Sequence, residues 1–128
     1  MFGNTLVNVV YSTTNNFLKG EKEMKELQNY VDNIAKELKE IYNGEQVNDE
    51  GETTNIYDYI SDSLDVEYTL NSSKELIGVK LWVTLGGPNI YIDTRNGEVV
   101  GHWGSDCARA WVPSEICEEI TSYFEEIF

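Results

Sequence analysis

Ile77, Val79, Leu81, Val83 and Leu85 alternate without a break with Gly78, Lys80, Trp82 and Thr84. Successive strand residues point to opposite faces, so this pattern makes a half-buried β-strand and demands a layer that covers one face only. The neighbouring residues extend the same logic. Ile90 and Ile92 alternate with Tyr91 and Asp93, and Val99–Trp103 follows as a further strand. Asn96–Gly97 between extended segments predicts a hairpin with a type I′ turn, whose two central residues need positive φ. Gly86–Gly87–Pro88 breaks the first run and reads as a bulge or tight corner in the sheet. The stretch Ile77–Trp103 is thus an antiparallel meander and the centre of the fold.

Two amphipathic segments supply the covering layer. Met24, Leu27, Val31, Ile34, Leu38 and Ile41 recur at steps of three and four, which predicts a helix over 21–42 with Asn43–Gly44 as its stop. Should this stripe stay uncovered, it would form a homodimer seam. Ile116, Ile120, Tyr123, Phe124 and Ile127 make a second stripe, on a helix opened by Pro113 with Ser114 as N-cap. Between them, residues 45–53 form a polar loop. Thr54 or Asn55 caps a short helix over Ile56–Leu64, Val66–Leu70 is a strand, and Asn71–Lys74 is a turn. Gly104–Val112 reads as irregular, with a helical turn near Ala108. Residues 1–16 read as an apolar arm packed on the domain. Leu6, Val7, Val9, Val10 and Tyr11 are β-prone, while Asn4–Thr5 can cap a short helix. The expected class is α+β in a single domain over 1–128. A long N-terminal helix, a short middle helix and a C-terminal helix pack on an antiparallel β-meander of about four strands.

Charge decides which function classes survive. Among 128 residues, 23 acids face 9 bases, for a net charge of −14. Residues 41–73 hold eight acids and no base, residues 74–109 four of each sign, and residues 110–128 five acids and no base. Phosphate contacts need Lys and Arg, so direct binding to nucleic acid or an anionic membrane is excluded and a basic protein partner is favoured. No apolar run approaches the roughly 20 residues a membrane helix needs, and the first residues lack a signal-peptide pattern. The expected compartment is cytoplasmic, with Cys107 and Cys117 as reduced thiols.

Catalytic constellations are poorly specified. A Cys107–His102–Asp93 nucleophile site can be written down, but no spacing supports it, and His102 beside Trp103 is more simply a sheet residue. One His and two Cys match no zinc pattern. Asn48–Asp49–Glu50–Gly51–Glu52 lacks the alternating ligands and closing Glu of a calcium loop. Gly86–Gly87–Pro88 is no phosphate loop. We therefore expect no metal, no cofactor and no enzyme.

Three passages carry a resemblance: NIYDYISDSLDVEYTL (Asn55–Leu70), VTLGGPNIYIDTRNGEVVGHWGSD (Val83–Asp106) and PSEICEEITSYFEEIF (Pro113–Phe128). Together they resemble small acidic proteins carried by phages and other mobile elements of gut Firmicutes. Some small acidic proteins of such elements are anti-CRISPR or anti-restriction proteins, which block host defence nucleases, often by mimicking DNA. The resemblance assigns no individual site residues.

Two readings of the acidic block follow from the residues themselves: a solvated face, or a face that docks on a basic groove, with carboxylates standing in for phosphates and tyrosines supplying rigid contact area. The second names Glu45, Asp49, Glu50, Glu52, Tyr57, Asp58, Tyr59, Asp62, Asp65 and Glu67. It implies a non-enzymatic inhibitor of a defence nuclease such as a Cas effector, acting in the bacterial host as a monomer or homodimer. An immunity or antitoxin protein that neutralises a toxin is the alternative. Trp82, Tyr91 and Trp103 are the aromatic residues that would make the sheet itself a platform if they line an open face.

Overall fold

The computed structural model describes residues 24–45, 47, 51–53 and 55–127. Within them the order is helix α1 (residues 24–42), helix α2 (Ile56–Ser61), strands β1 (Asp65–Leu70), β2 (Leu76–Thr84), β3 (Asn89–Asp93), β4 (Glu98–Trp103) and β5 (Asp106–Trp111), and helix α3 (Ser114–Ile127). The five strands form one antiparallel sheet in sequence order. The α+β meander is as expected, with one strand more than the sequence suggested. The proposed arm at residues 1–16 lies outside the described residues. No helix among the described residues is long and apolar enough to cross a membrane.

The extra strand is β5, where the sequence had suggested irregular chain and a helical turn near Ala108. Gly104, at φ +61°, and Ser105 close a two-residue hairpin loop, and Trp103–Asp106 through Glu98–Trp111 pair in register. Ladder pairing with β4 overrides the weak strand propensity of Ala108 and Ala110. The small side chains have a packing role. Ala108 sits opposite Gly101, and a Cβ on Gly101 would lie 2.9 Å from both Leu27 Cδ1 and Val31 Cγ1. Helix α1 thus approaches β4 and β5 closely because these positions lack bulk.

Parity then divides the sheet. Val79, Leu81, Ile90, Ile92, Val99 and Ala108 point to the face covered by α1 and α3, and all belong to one core with Leu27, Val31, Leu38, Ile41, Ile116, Ile120 and Phe124. Except for the exposed Met24, the α1 stripe packs on its own sheet, which removes the reason to invoke a seam there. Helix α1 ends in a Schellman motif: Gly44 N–H donates to Ile41 and Glu45 N–H to Glu40, with Gly44 at φ +74°.

Four local expectations are corrected. Helix α2 stops at Ser61, not Leu64, because Leu64 N–H donates to Trp82 O at 2.8 Å and so opens the β1–β2 ladder; Leu64 is exposed. Leu85 leaves the β2 alternation and is exposed, since a register shift between Trp82 and Thr84 and the Gly86–Gly87–Pro88 bend end the strand. The Asn96–Gly97 turn is not type I′: Gly97 is at φ +70°, but Asn96 does not have positive φ. Instead the buried Asp93 carboxylate accepts from Arg95 N–H, Asn96 N–H and Asn96 Nδ2, which holds a four-residue loop, Thr94–Gly97. Last, the Pro113 carbonyl accepts from the Ile116 and Cys117 amides, so Pro113, not Ser114, occupies the N-cap position of α3.

The close approach at Gly101 gives a test. Gly101→Ala should lower stability by about 1–3 kcal/mol, the range for overpacking a filled core, as read by urea denaturation. An unchanged midpoint would show that α1 stands farther from the sheet.

Candidate functional site

The two base-free acidic blocks are far apart in sequence and adjacent in space. Helix α2 packs on α3. Tyr57 Oη donates to Glu119 Oε1 at 2.5 Å, and its ring lies 5.4 Å from that of Tyr123 at an interplanar angle of 42°. The placement follows from the sequence. Asn55 Oδ1 accepts from Asp58 N–H and caps α2, Ile56 and Ile60 are buried, and Tyr57 is left on the side facing α3. Glu119, then burial, then Glu126 hold the Tyr57 phenol above its ordinary pKa. The result is a ridge over α2, the start of β1, and α3. On α2 it carries Asp58 and Asp62 and on α3 Glu115, Glu119 and Glu126, with no Lys or Arg in either segment; Glu118 and Glu125 line a cleft on another side of α3.

Most of the residues singled out from sequence are on the surface. Glu45, Glu52, Tyr57, Asp58, Asp62, Asp65 and Glu67 are exposed. Asp49 and Glu50 lie outside the described residues. Tyr59 is different: it is half-buried and packed on the core, and burial, followed by the charge of Glu37, pushes its phenol well above the ordinary range. It faces α1 and serves the fold. Missing from the sequence-derived set were the acids of α3; the signal that could have found them is the base-free run at 110–128.

Both helices break a local electrostatic rule. A helix C-terminus carries partial negative charge and favours cations. Yet α2 ends at Asp62, α3 carries Glu125 and Glu126 near its end, and neither helix has a base in its last turn. These carboxylates oppose the fold they sit on.

The sheet's other face holds the second candidate surface. Asp65, Trp82, Tyr91, Val100 and Arg109 form a cross-strand row through β1 to β5, and none belongs to the core cluster beneath the helices, yet Val100 is buried and Trp82 and Tyr91 are half-buried. Trp82 and Tyr91 touch at 4.8 Å between centroids, His102 stacks on Tyr91 at 6.2 Å, and Lys80 Nζ stands 5.0 Å from the Tyr91 centroid. Arg109 pairs with Glu98 at 2.6 Å. Trp103 instead lies on the helix-covered face against the core. So the aromatic set divides, two half-buried on the second face and one under the helices.

The written nucleophile trio does not assemble. His102 and Cys107 are register partners, but Asp93 is four residues along β3 from Asn89, the partner of His102, and its carboxylate is committed to the turn. Four strand residues span roughly 13 Å. A cleft of about 700 Å³ lies between α3 and the Thr94–Gly97 turn, with Lys39, Arg95, Glu118 and Glu125 around Trp111 and Cys117. Its charges are mixed and select no sign of ligand. Among the described residues no cluster of three or more His, Cys, Asp or Glu could hold a metal ion.

Compared with known proteins, the chain matches no protein-family model, no curated protein and no solved structure.

Two measurements follow from the site. Burial, then Asp93 and Glu118, raises the Cys117 thiol to about 11, so only about one in a thousand is thiolate at pH 8. Iodoacetamide at that pH should label the half-buried Cys107 first; equal rates in the native protein would contradict the packing of α3. Glu125→Lys with Glu126→Lys should raise stability by about 0.3–1 kcal/mol per site through the helix dipole, seen as a higher Tm. A fall in Tm would mean those carboxylates are structural.

Proposed function

We propose that this protein is a non-enzymatic inhibitor whose acidic ridge docks on the basic, nucleic-acid-binding surface of a defence nuclease, a Cas effector being the leading class of target. The observation that carries this reading is the meeting of the two base-free blocks through the packing of α2 on α3 and the Tyr57–Glu119 hydrogen bond. Asp58 and Asp62 on α2 and Glu115, Glu119 and Glu126 on α3 stand on packed elements in segments without a base. A Lys/Arg-lined channel built to hold phosphates would meet carboxylates there instead.

Two further points support the reading. The carboxylates at the ends of α2 and α3 work against their helices, and charges that cost stability are expected where function needs them. The sequence resembles small acidic mobile-element proteins, among which inhibitors of defence nucleases occur. Inhibition would be by occlusion, with association accelerated by opposite charge and weakened by salt.

The test is a DNA-cleavage assay with a panel of purified Cas effectors and restriction nucleases. The wild-type chain should inhibit at least one, and Asp58→Lys with Asp62→Lys and Glu115→Lys should weaken that inhibition about tenfold or more, as expected for several interfacial charge pairs. Inhibition that survives the triple reversal, or no inhibition across the panel, would reject the reading.

A further inference from the structure

Trp111, the last residue of the edge strand β5, is 80% exposed, more than any other large apolar side chain among the described residues. It stands at the lip of the cleft of about 700 Å³ between α3 and the Thr94–Gly97 turn, whose apolar lining includes Ile77, Val112 and Pro113. A cavity of that size has room for an indole. Its rim carries both signs, Lys39 and Arg95 against Glu118 and Glu125. All four are exposed, and among the described residues none of them forms an ion pair.

These features decide what the cleft can take. A ligand of either charge would be repelled by half of the rim, and a neutral one would cover four charges without pairing them. A second copy of the chain has neither fault. In a two-fold pair the same patch meets itself, so the basic side of one rim faces the acidic side of the other and each Trp111 enters the other's cleft. Repulsion points to the same place. Each chain has a net charge of −14, yet the four rim charges sum to zero. Beside Trp111, Arg109 is compensated by Glu98 at 2.6 Å and Lys36 pairs with Glu40 at 3.8 Å. Two acidic molecules approach at least cost where their surfaces are locally neutral.

We propose that this chain forms a two-fold homodimer in which the Trp111 indole of each copy fills the cleft of the other, with Lys39 and Arg95 of one facing Glu118 and Glu125 of its partner. Each cleft is incomplete alone, since the ring that closes it comes from the second copy. The two indoles supply the apolar area that holds the pair, as aromatic anchors in pockets do at interfaces. The rim charges fix its orientation. Glu119 and Glu126 lie on another side of α3, so the dimer presents two acidic ridges. The pairing does not depend on what those ridges bind.

The experiment uses the full-length chain from about 1 μM to about 1 mM, a range that spans the affinities of small interfaces. Sedimentation velocity should show a monomer–dimer equilibrium within it. Of the three indole N–H signals in NMR, assigned with Trp111→Phe and Trp82→Phe, that of Trp111 should move with concentration and the other two should stay. Trp111→Ala, which removes an exposed side chain, should weaken association at least about thirtyfold, because one substitution takes an anchor from both halves of a symmetric pair. Lys39→Glu with Arg95→Glu makes the rim wholly acidic, and Glu118→Lys with Glu125→Lys makes it wholly basic. Each of these variants alone should be monomeric, and an equimolar mixture of the two should dimerise. A wild-type chain that is a strict monomer at about 1 mM overturns the proposal and leaves the cleft to a different molecule. A dimer that persists undiminished in Trp111→Ala, or whose shifts fall on Trp82 or Trp103, lies on another surface and overturns it too. So does a mixture of the two charge variants that stays monomeric while the wild type dimerises.

Discussion

The side chains of Leu27 and Val31 press so closely onto Gly101 that a methyl group there would overlap both. This contact sets how deep α1 lies on the sheet, and the rest of the architecture depends on it. With α1 seated over β4 and β5, and α3 alongside, one face of the sheet is sealed. Alternation along β2, β3 and β4 then sends every second side chain the other way. On that second face stand Lys80, Trp82, Tyr91, His102 and Arg109, with Val100 buried among them, because strand geometry leaves those residues nowhere else to go.

The same division separates the neutral scaffold from the acidic surface. The neutral segment 74–109 supplies β2, β3 and β4, while the acidic blocks supply α2, β1 and α3. Acids would weaken a sheet centre by desolvation and repulsion, so they collect on helices and on an edge strand. On β1 they also blunt an exposed edge. Folding then unites the two blocks at the Tyr57–Glu119 contact. The sheet therefore positions the acids.

Features with a strong period were legible in the sequence. The α1 and α3 stripes, the alternation of β2 and the cap at Asn55 all correspond to elements of the structure. What was not legible depended on long-range packing. Strand β5 contains Ala108, Arg109 and Ala110, which locally favour helix; it is a strand because it pairs with β4 along its whole length. The Thr94–Gly97 loop followed Asp93, whose carboxylate replaces the backbone geometry that Asn-Gly would favour. Tyr59 looked like its neighbour Tyr57, but adjacent helical positions face different ways, and only Tyr57 meets α3. The candidate surface was half legible: the first acidic block was evident as a run without bases, while its union with α3 required the tertiary structure.

Competition with nucleic acid distinguishes a docking acidic surface from one that is merely solvated. The chain is immobilised, a host lysate is passed over it at low salt, and the protein eluted by raising salt is identified and purified. That partner is loaded with its DNA or guide RNA, and the acidic protein is titrated in. Occlusion by the acidic surface should displace the nucleic acid stoichiometrically, and the displacement should weaken as ionic strength rises. A partner that holds nucleic acid and this protein together, with no loss of either, would contradict it.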